Sequence, residues 1–348
     1  MQSDKLELIS LDQVRRLHVA PERRFFSASH EEIAQGATTD IYFVRSYEVL
    51  THLGLQECAV TAEIFPRAAG ILAGVPEVLN LLADRGLEIW ALPEGESFAP
   101  KEVVMRIKGP YNRFGLFETT LLGILASSSG WASAARNVKA AAGDRPVYCF
   151  GARHVHPAVA PVMERAAIIG GVDGASCILG AKLAGLEPVG TLPHAVFLIA
   201  GDTVKVAKAY HQTMPPGARR LVLVDTFKDE AEEAMRVAEA LGADLYGIRL
   251  DTPSERGGVT PELVREIRAR LDAGGHRHVK IFVSGGLYPE KIQALGAAGA
   301  DAFGVGSFIS GAAPIDMTMD LKEVQGEAVA KRGRIPGVTP NPRLQRMV

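Results

Sequence analysis

From about Pro146 to Ser310 the chain repeats one pattern: a short apolar run, then a stretch of helical period. Val147-Tyr148-Cys149-Phe150 leads to a helix through Pro161 to Ile169, and Leu221 to Asp225 leads to one from Asp229 to Leu241. Tyr246 to Asp251 leads to one from Pro261 to Leu271, with Thr260 as N-cap and Pro261 at the first helical position. Ile281 to Ser284 leads to Pro289–Leu295 and then to a last run, Ala302 to Val305. Strands that alternate with helices imply a parallel sheet covered on its faces. Gly170 to Gly174 and Leu186 to Gly190 supply two more short strands, which brings the count to six or seven. Polar residues cluster at so many separate strand ends that an irregular (β/α) barrel is favoured over an open sheet.

The first part of the chain reads differently. Glu57 to Phe65, Leu87 to Leu92 and Glu102 to Gly109 have strand character, Gly70 to Val75 continues it, and Ile41 to Leu53 reads as a helix. The expected organisation is therefore α/β: an N-terminal α+β domain over residues 1–115, joined by a long helix (Leu116 to Ala142) to a barrel domain over 116–310. The polar, Pro- and Gly-rich segment 311–348 is too short to be a domain and is expected to pack back on the first one.

Bulk properties exclude several classes of partner. A net charge of -2 over 348 residues argues against nucleic acid or an anionic membrane. No stretch is long and apolar enough to span a bilayer, and the first residues lack the basic and apolar regions of a signal peptide, so a cytoplasmic protein is expected. Cys58, Cys149 and Cys177 are widely separated, which speaks against disulfides and a structural zinc site.

The strand ends carry the chemistry. Phe150-Gly151-Ala152-Arg153-His154 ends one run; Asp173 sits in a glycine-rich turn; His194 ends Gly190-Thr191-Leu192-Pro193-His194. Asp225, then Arg249 and Asp251, end two more. Ser284-Gly285-Gly286 and Gly304-Val305-Gly306-Ser307 end the last two, and their side-chain-free amides form a phosphate cradle. An arginine fork holds phosphate or carboxylate, carboxylates hold ribose hydroxyls or Mg²⁺, and Phe150 stacks on a flat ring. Taken singly, each has a plain reading: an aspartate after a strand is more often an N-cap, and a phenylalanine more often core. Their joint placement at strand ends is what those plain readings do not predict.

At these residues the chain resembles the nicotinate phosphoribosyltransferases, in the shorter form of archaea and some bacteria. The likeness runs through Thr38-Thr39-Asp40-Ile41-Tyr42-Phe43, Phe117-Glu118-Thr119-Thr120-Leu121-Leu122, Phe150-Gly151-Ala152-Arg153 and Gly170-Gly171-Val172-Asp173-Gly174. It continues through Gly190 to His194, Asp225-Thr226, Arg249-Leu250-Asp251, the glycine pair and Ala313-Pro314-Ile315-Asp316-Met317-Thr318-Met319-Asp320. The resemblance implies transfer of phosphoribosyl from phosphoribosyl pyrophosphate to nicotinate in NAD biosynthesis, with Mg²⁺, in a homodimer or higher oligomer. Many members couple the transfer to ATP. By the same resemblance Phe150 stacks on the pyridine ring and Tyr42 of a partner subunit covers its other face. Arg153 binds phosphate or the nicotinate carboxylate, and Asp173 contacts the ring edge. Asp225, Arg249 and Asp251 line the ribose and pyrophosphate, and Ser284, Gly285, Gly286, Gly304, Gly306 and Ser307 hold the 5′-phosphate. His194 matches the histidine that ATP-coupled relatives phosphorylate. Two departures bear on ATP coupling: Asp251-Thr252-Pro253-Ser254-Glu255 stands where relatives often read Asp-Ser-Gly-Asp, and apolar Ala195-Val196-Phe197 follows His194.

Other readings compete. Quinolinate phosphoribosyltransferase shares the architecture but needs several cations around its ring, where Arg153 is the one clear candidate. A nicotinamide-specific transferase would use a ring-edge aspartate. A non-catalytic barrel that binds a phosphorylated metabolite would need only the glycines.

Overall fold

A computed structural model describes residues 7–348. The chain forms two compact units, one from the residues up to Ser133 together with Ala313–Val348, the other from Ala134–Ala312. The long helix, Glu118–Ala142, begins in the first unit and ends in the second. The first unit contributes β1 (Ala59–Pro66), β2 (Gly70–Ile71), β3 (Glu88–Ala91), β4 (Ser97–Phe98) and β5 (Met105–Pro110). The second contributes β6 (Val147–Cys149), β7 (Gly174–Ala175), β8 (Arg220–Leu223), β9 (Leu245–Leu250), β10 (Lys280–Ser284) and β11 (Ala302–Val305). The chain then returns to the first unit with β12 (Met317–Val324), β13 (Glu327–Ala328) and β14 (Gln345–Arg346).

In the first unit an antiparallel sheet runs β13-β12-β1-β5-β3-β14. Ile64, Ile89 and Ile107 on adjacent strands pack against Phe114, Phe117, Leu121 and Leu125 to form its core. The polar tail hides a strand that its composition masks. Met317, Met319 and Leu321 alternate with polar residues, and this β12 pairs with β1 from Pro66↔Met317 to Val60↔Val324. The small residues in the middle of the long helix also find a reason. Ser129 Oγ accepts the Ala73 N–H at 3.2 Å, and Ser133 Oγ accepts the Ile71 N–H at 2.8 Å. A Cβ on Gly130 would stand 2.4 Å from the Ala313 carbonyl oxygen, so only glycine fits there.

The second unit is the expected alternation. Its parallel sheet runs β7-β6-β11-β10-β9-β8. Ile248, Leu250, Ile281, Val283, Phe303 and Val305 are fully buried in it, as two-sided covering requires. The helices follow at Ala160–Gly170, Glu230–Leu241, Pro261–Ala273 and Pro289–Ala297. Thr260 caps the third, its Oγ1 accepting from the Leu263 N–H at 3.2 Å. Leu186 to Gly190 forms no strand: Val189 N–H donates to the Ala175 carbonyl at 2.9 Å, and Pro188 has no N–H to extend that ladder. β7 and β8 do not pair, so the barrel stays half open. Among the described residues no helix is long and apolar enough to cross a membrane.

Two stability effects follow. Gly→Ala within a helix ordinarily gains about 1 kcal/mol. Here Gly130→Ala lowers the thermal midpoint instead, through overpacking worth about 1–3 kcal/mol; calorimetry measures it. Glu118 is pushed up to about 7, first by burial and then by Asp320. An acid whose pKa the fold raises is best tolerated protonated, so its contribution to stability falls as pH rises through 7. Glu118→Gln therefore melts above the parent at pH 8, and the difference closes by pH 5.

Candidate active site

The carboxyl ends of the strands in the second unit converge on Arg249, near the end of β9. Its side chain is 16% exposed and makes three different bonds. Nε donates to Ser284 Oγ at 2.8 Å, Nη1 to Thr191 Oγ1 at 2.8 Å, and Nη2 to Asp251 Oδ2 at 3.3 Å. Ser284 Oγ donates on to Asp251 Oδ1 at 2.7 Å, closing a ring of side chains from β9 and β10. The guanidinium also lies over the Phe150 ring, 5.3 Å from its centroid. Burial lowers the pKa of Arg249, and Asp251 and Asp225 oppose that shift. An arginine stays charged under such a shift.

A second pair stands beside this ring. His194 Nε2 lies 3.0 Å from Asp225 Oδ2, and the Asp225 side chain is only 1% exposed. Burial pushes the Asp225 carboxyl up and its bond to His194 pulls it back. Asp225 Oδ1 and Thr226 Oγ1 are buried without a partner. A buried carboxylate oxygen with no donor is what an ion, a water or a ligand hydroxyl would complete. Among the described residues no cluster of three or more His, Cys, Asp or Glu side chains forms a metal site by itself.

The glycines divide by task. Gly285 and Gly286 have φ of +90° and +58°, which side chains rarely adopt, and a Cβ on Gly285 would lie 3.1 Å from Asp251 Oδ1. Gly304 belongs to the β11 ladder between Ser284 and Tyr148, so its amide is not part of an open cradle. Its missing side chain instead admits Phe150, whose Cε2 would be 2.6 Å from a Cβ. A Cβ on Gly306 would meet His154 Cε1 at 2.7 Å. Ser307 opens the short helix Ser307–Ser310 and is exposed. Phe150 is half-buried and stacks on Phe282 at 5.9 Å, which stacks on Tyr148 at 5.7 Å. Arg153, in the turn Ala152–His154, is exposed, and among the described residues no carboxylate pairs with it; its Nε meets His154 Nε2 at 3.4 Å.

One residue read as part of the site lies elsewhere. Asp173 precedes β7 at the amino end of the sheet. It accepts from Lys139 Nζ at 2.9 Å and from the Val147 N–H at 2.8 Å, so it ties strand starts together and does not reach the rim. Tyr42 is 53% exposed on the helix Ile41–His52 of the first unit. The structure adds Thr191, Ser176 and Glu164. Thr191 stood inside a motif already singled out for His194. Glu164 was legible as an acid on the apolar stripe of Met163 and Ala167, but helical period alone left it unremarked.

The arrangement offers a fixed cation, an orphaned acid, an exposed arginine, a flat aromatic face and left-handed glycine turns on one rim. Comparison with known proteins identifies the family. Residues 40–129 match the family profile of the quinolinate phosphoribosyl transferase N-terminal domain, and 131–320 match its C-terminal domain. A nicotinate phosphoribosyltransferase of Mycobacterium tuberculosis is 33% identical over 254 residues, covering 70% of this chain and 53% of that protein. This chain thus spans about half the length of the mycobacterial relatives it matches. A probable carboxylating nicotinate-nucleotide pyrophosphorylase of Methanothermobacter thermautotrophicus is 26% identical over 276 residues, 76% of this chain and 88% of that one. The crystal structure of nicotinate-nucleotide pyrophosphorylase from Pyrococcus furiosus superposes with a TM-score of 0.87 at 45% identity, over 91% of this chain and 82% of that one.

The close approach of Gly304 to Phe150 is open to a double-mutant cycle. Gly304→Ala destabilises the fold, Phe150→Leu relieves most of that loss, and denaturant melts give a coupling of about 1 kcal/mol or more.

Proposed function

The chain belongs to the quinolinate phosphoribosyl transferase family, and on that premise we propose that it transfers phosphoribosyl from phosphoribosyl pyrophosphate to the ring nitrogen of a pyridine carboxylic acid, in NAD biosynthesis. The observation that carries this reading is the rim itself: the Arg249–Ser284–Asp251 ring lies against Phe150, and the buried Asp225 faces Arg249. The ring nitrogen attacks the anomeric carbon as pyrophosphate leaves, so the protein's work is to align two anions with a flat ring and to stabilise a cationic transition state. Ser284, Gly285, Gly286, Gly306 and Ser307 hold the 5′-phosphate. Asp225 and Asp251 face the ribose and the leaving group, with His194 holding Asp225 in place. The unpartnered Asp225 Oδ1 fits a Mg²⁺ bound chiefly through substrate oxygens, since Mg²⁺ takes one or two carboxylates and keeps its other sites for phosphate and water. Such an ion would neutralise charge on the departing pyrophosphate. Phe150 supports the acceptor ring, Arg153 takes its carboxylate, and Tyr42 of a second copy covers the other face.

Two acceptors fit this scheme. Quinolinate is favoured by the matched family domains and by the 45% identity to the Pyrococcus furiosus pyrophosphorylase. Its second carboxylate would leave as carbon dioxide after transfer. Nicotinate is favoured by the cations: Arg249 is spent on Asp251, Ser284 and Thr191, which leaves Arg153 to meet a single carboxylate.

Assay of the purified protein with phosphoribosyl pyrophosphate and Mg²⁺ against quinolinate and nicotinate tests the proposal. Nicotinate mononucleotide forms from at least one acid, and release of carbon dioxide identifies quinolinate as the acceptor. The same panel with ATP reads the coupling expected at His194. Absence of product from both acids refutes the reading.

A further inference from the structure

Glu164 is fully buried on the helix Ala160–Gly170, yet its carboxylate points away from its own helix to two different loops. Oε1 accepts the Ala152 N–H at 3.2 Å and the Ser176 hydroxyl at 3.0 Å, and Oε2 accepts the Cys177 N–H. Ala152 opens the turn that carries Arg153, directly after β6. Ser176 and Cys177 follow β7, the neighbouring strand. One side chain therefore ties the exits of two adjacent strands together. Burial pushes this carboxyl up while the donors pull it back. A buried carboxylate is costly, and an apolar residue of similar size would pack the helix as well without that cost.

Resting on the reading above, we propose that Glu164 is a positioning residue for the acceptor half of the site: it holds the Arg153 turn in register with the β7 exit loop, and so sets where the carboxylate of the pyridine acid is received. The phosphoribosyl half, built on β9, β10 and β11, has no bond to Glu164 among the described residues. The division is chemical as well as spatial. Most of the groups that donate to Glu164 are backbone amides of the loops themselves, so losing the carboxylate frees the loop path and not just one side chain.

Glu164→Gln tests this, because an amide nitrogen facing those donors breaks one of the two arms. The KM for the pyridine acid rises about tenfold, and the KM for phosphoribosyl pyrophosphate stays within about twofold. Ser176→Ala, a milder cut, raises the KM for the acid about threefold and serves if the first variant fails to fold. Equal losses toward both substrates, or an unchanged KM for the acid in a folded variant, overturn the proposal. Hydrogen–deuterium exchange needs no substrate: faster exchange confined to 151–154 and 176–178 in Glu164→Gln supports the clamp, and unchanged exchange there overturns it. A wild-type protein inactive on both acids refutes the proposed reaction, while the exchange result still decides whether the clamp exists.

Discussion

Arg249 is a largely buried cation that would be costly without its neighbours, and much of the second unit is arranged to make it tolerable. One guanidinium holds Ser284 from β10, Asp251 just past the end of its own strand and Thr191 from the loop that ends at His194. It also lies over Phe150 from the exit of β6. Each of those residues is thereby fixed relative to the others, although they span the sequence from Phe150 to Ser284. A charge this well surrounded is held in one orientation by partners on separate strands and loops.

The same logic explains where small residues had to be. Gly285 turns the chain back before Asp251, and Gly304 lets the Phe150 ring lie against β11. In the sequence both looked like parts of one phosphate cradle. Gly285 and Gly286 take left-handed conformations that turn the chain at a strand end. Gly304 is not part of an open cradle, because its amide is committed to a parallel ladder. Glycine repeats at successive strand ends thus carry two different constraints, one on backbone conformation and one on the space beside an aromatic ring.

Most of the second unit was legible because parallel strands are buried on both faces and announce themselves as apolar runs with polar residues just beyond. That is why Arg249, Asp251, Asp225 and Ser284 could be placed on one rim from sequence. Asp173 was misplaced for a physical reason: a strand as short as Gly174–Ala175 is only two residues long, so its flanking residues cannot be assigned to an end by pattern. Thr191 and Glu164 were missed because neither residue type signals its partner. The half-open sheet was unreadable too, since closure depends on whether a proline-interrupted stretch such as Leu186 to Gly190 pairs. In the first unit β12 was lost among the glycines and prolines of the tail, where the alternation of Met317, Met319 and Leu321 was the signal.

The place of β12 has a consequence for how the chain comes into being. β1 lies between β5 and β12, and five of its eight residues in succession, Val60 to Ile64, are buried. Its partner on one side follows within fifty residues; its partner on the other is encoded only after the whole of the second unit. During synthesis the half-open barrel is therefore complete while β1 still presents an unpaired, water-averse edge, the kind that recruits a neighbouring nascent chain. A polypeptide released before Met317 would be an aggregation seed and not a smaller version of the protein.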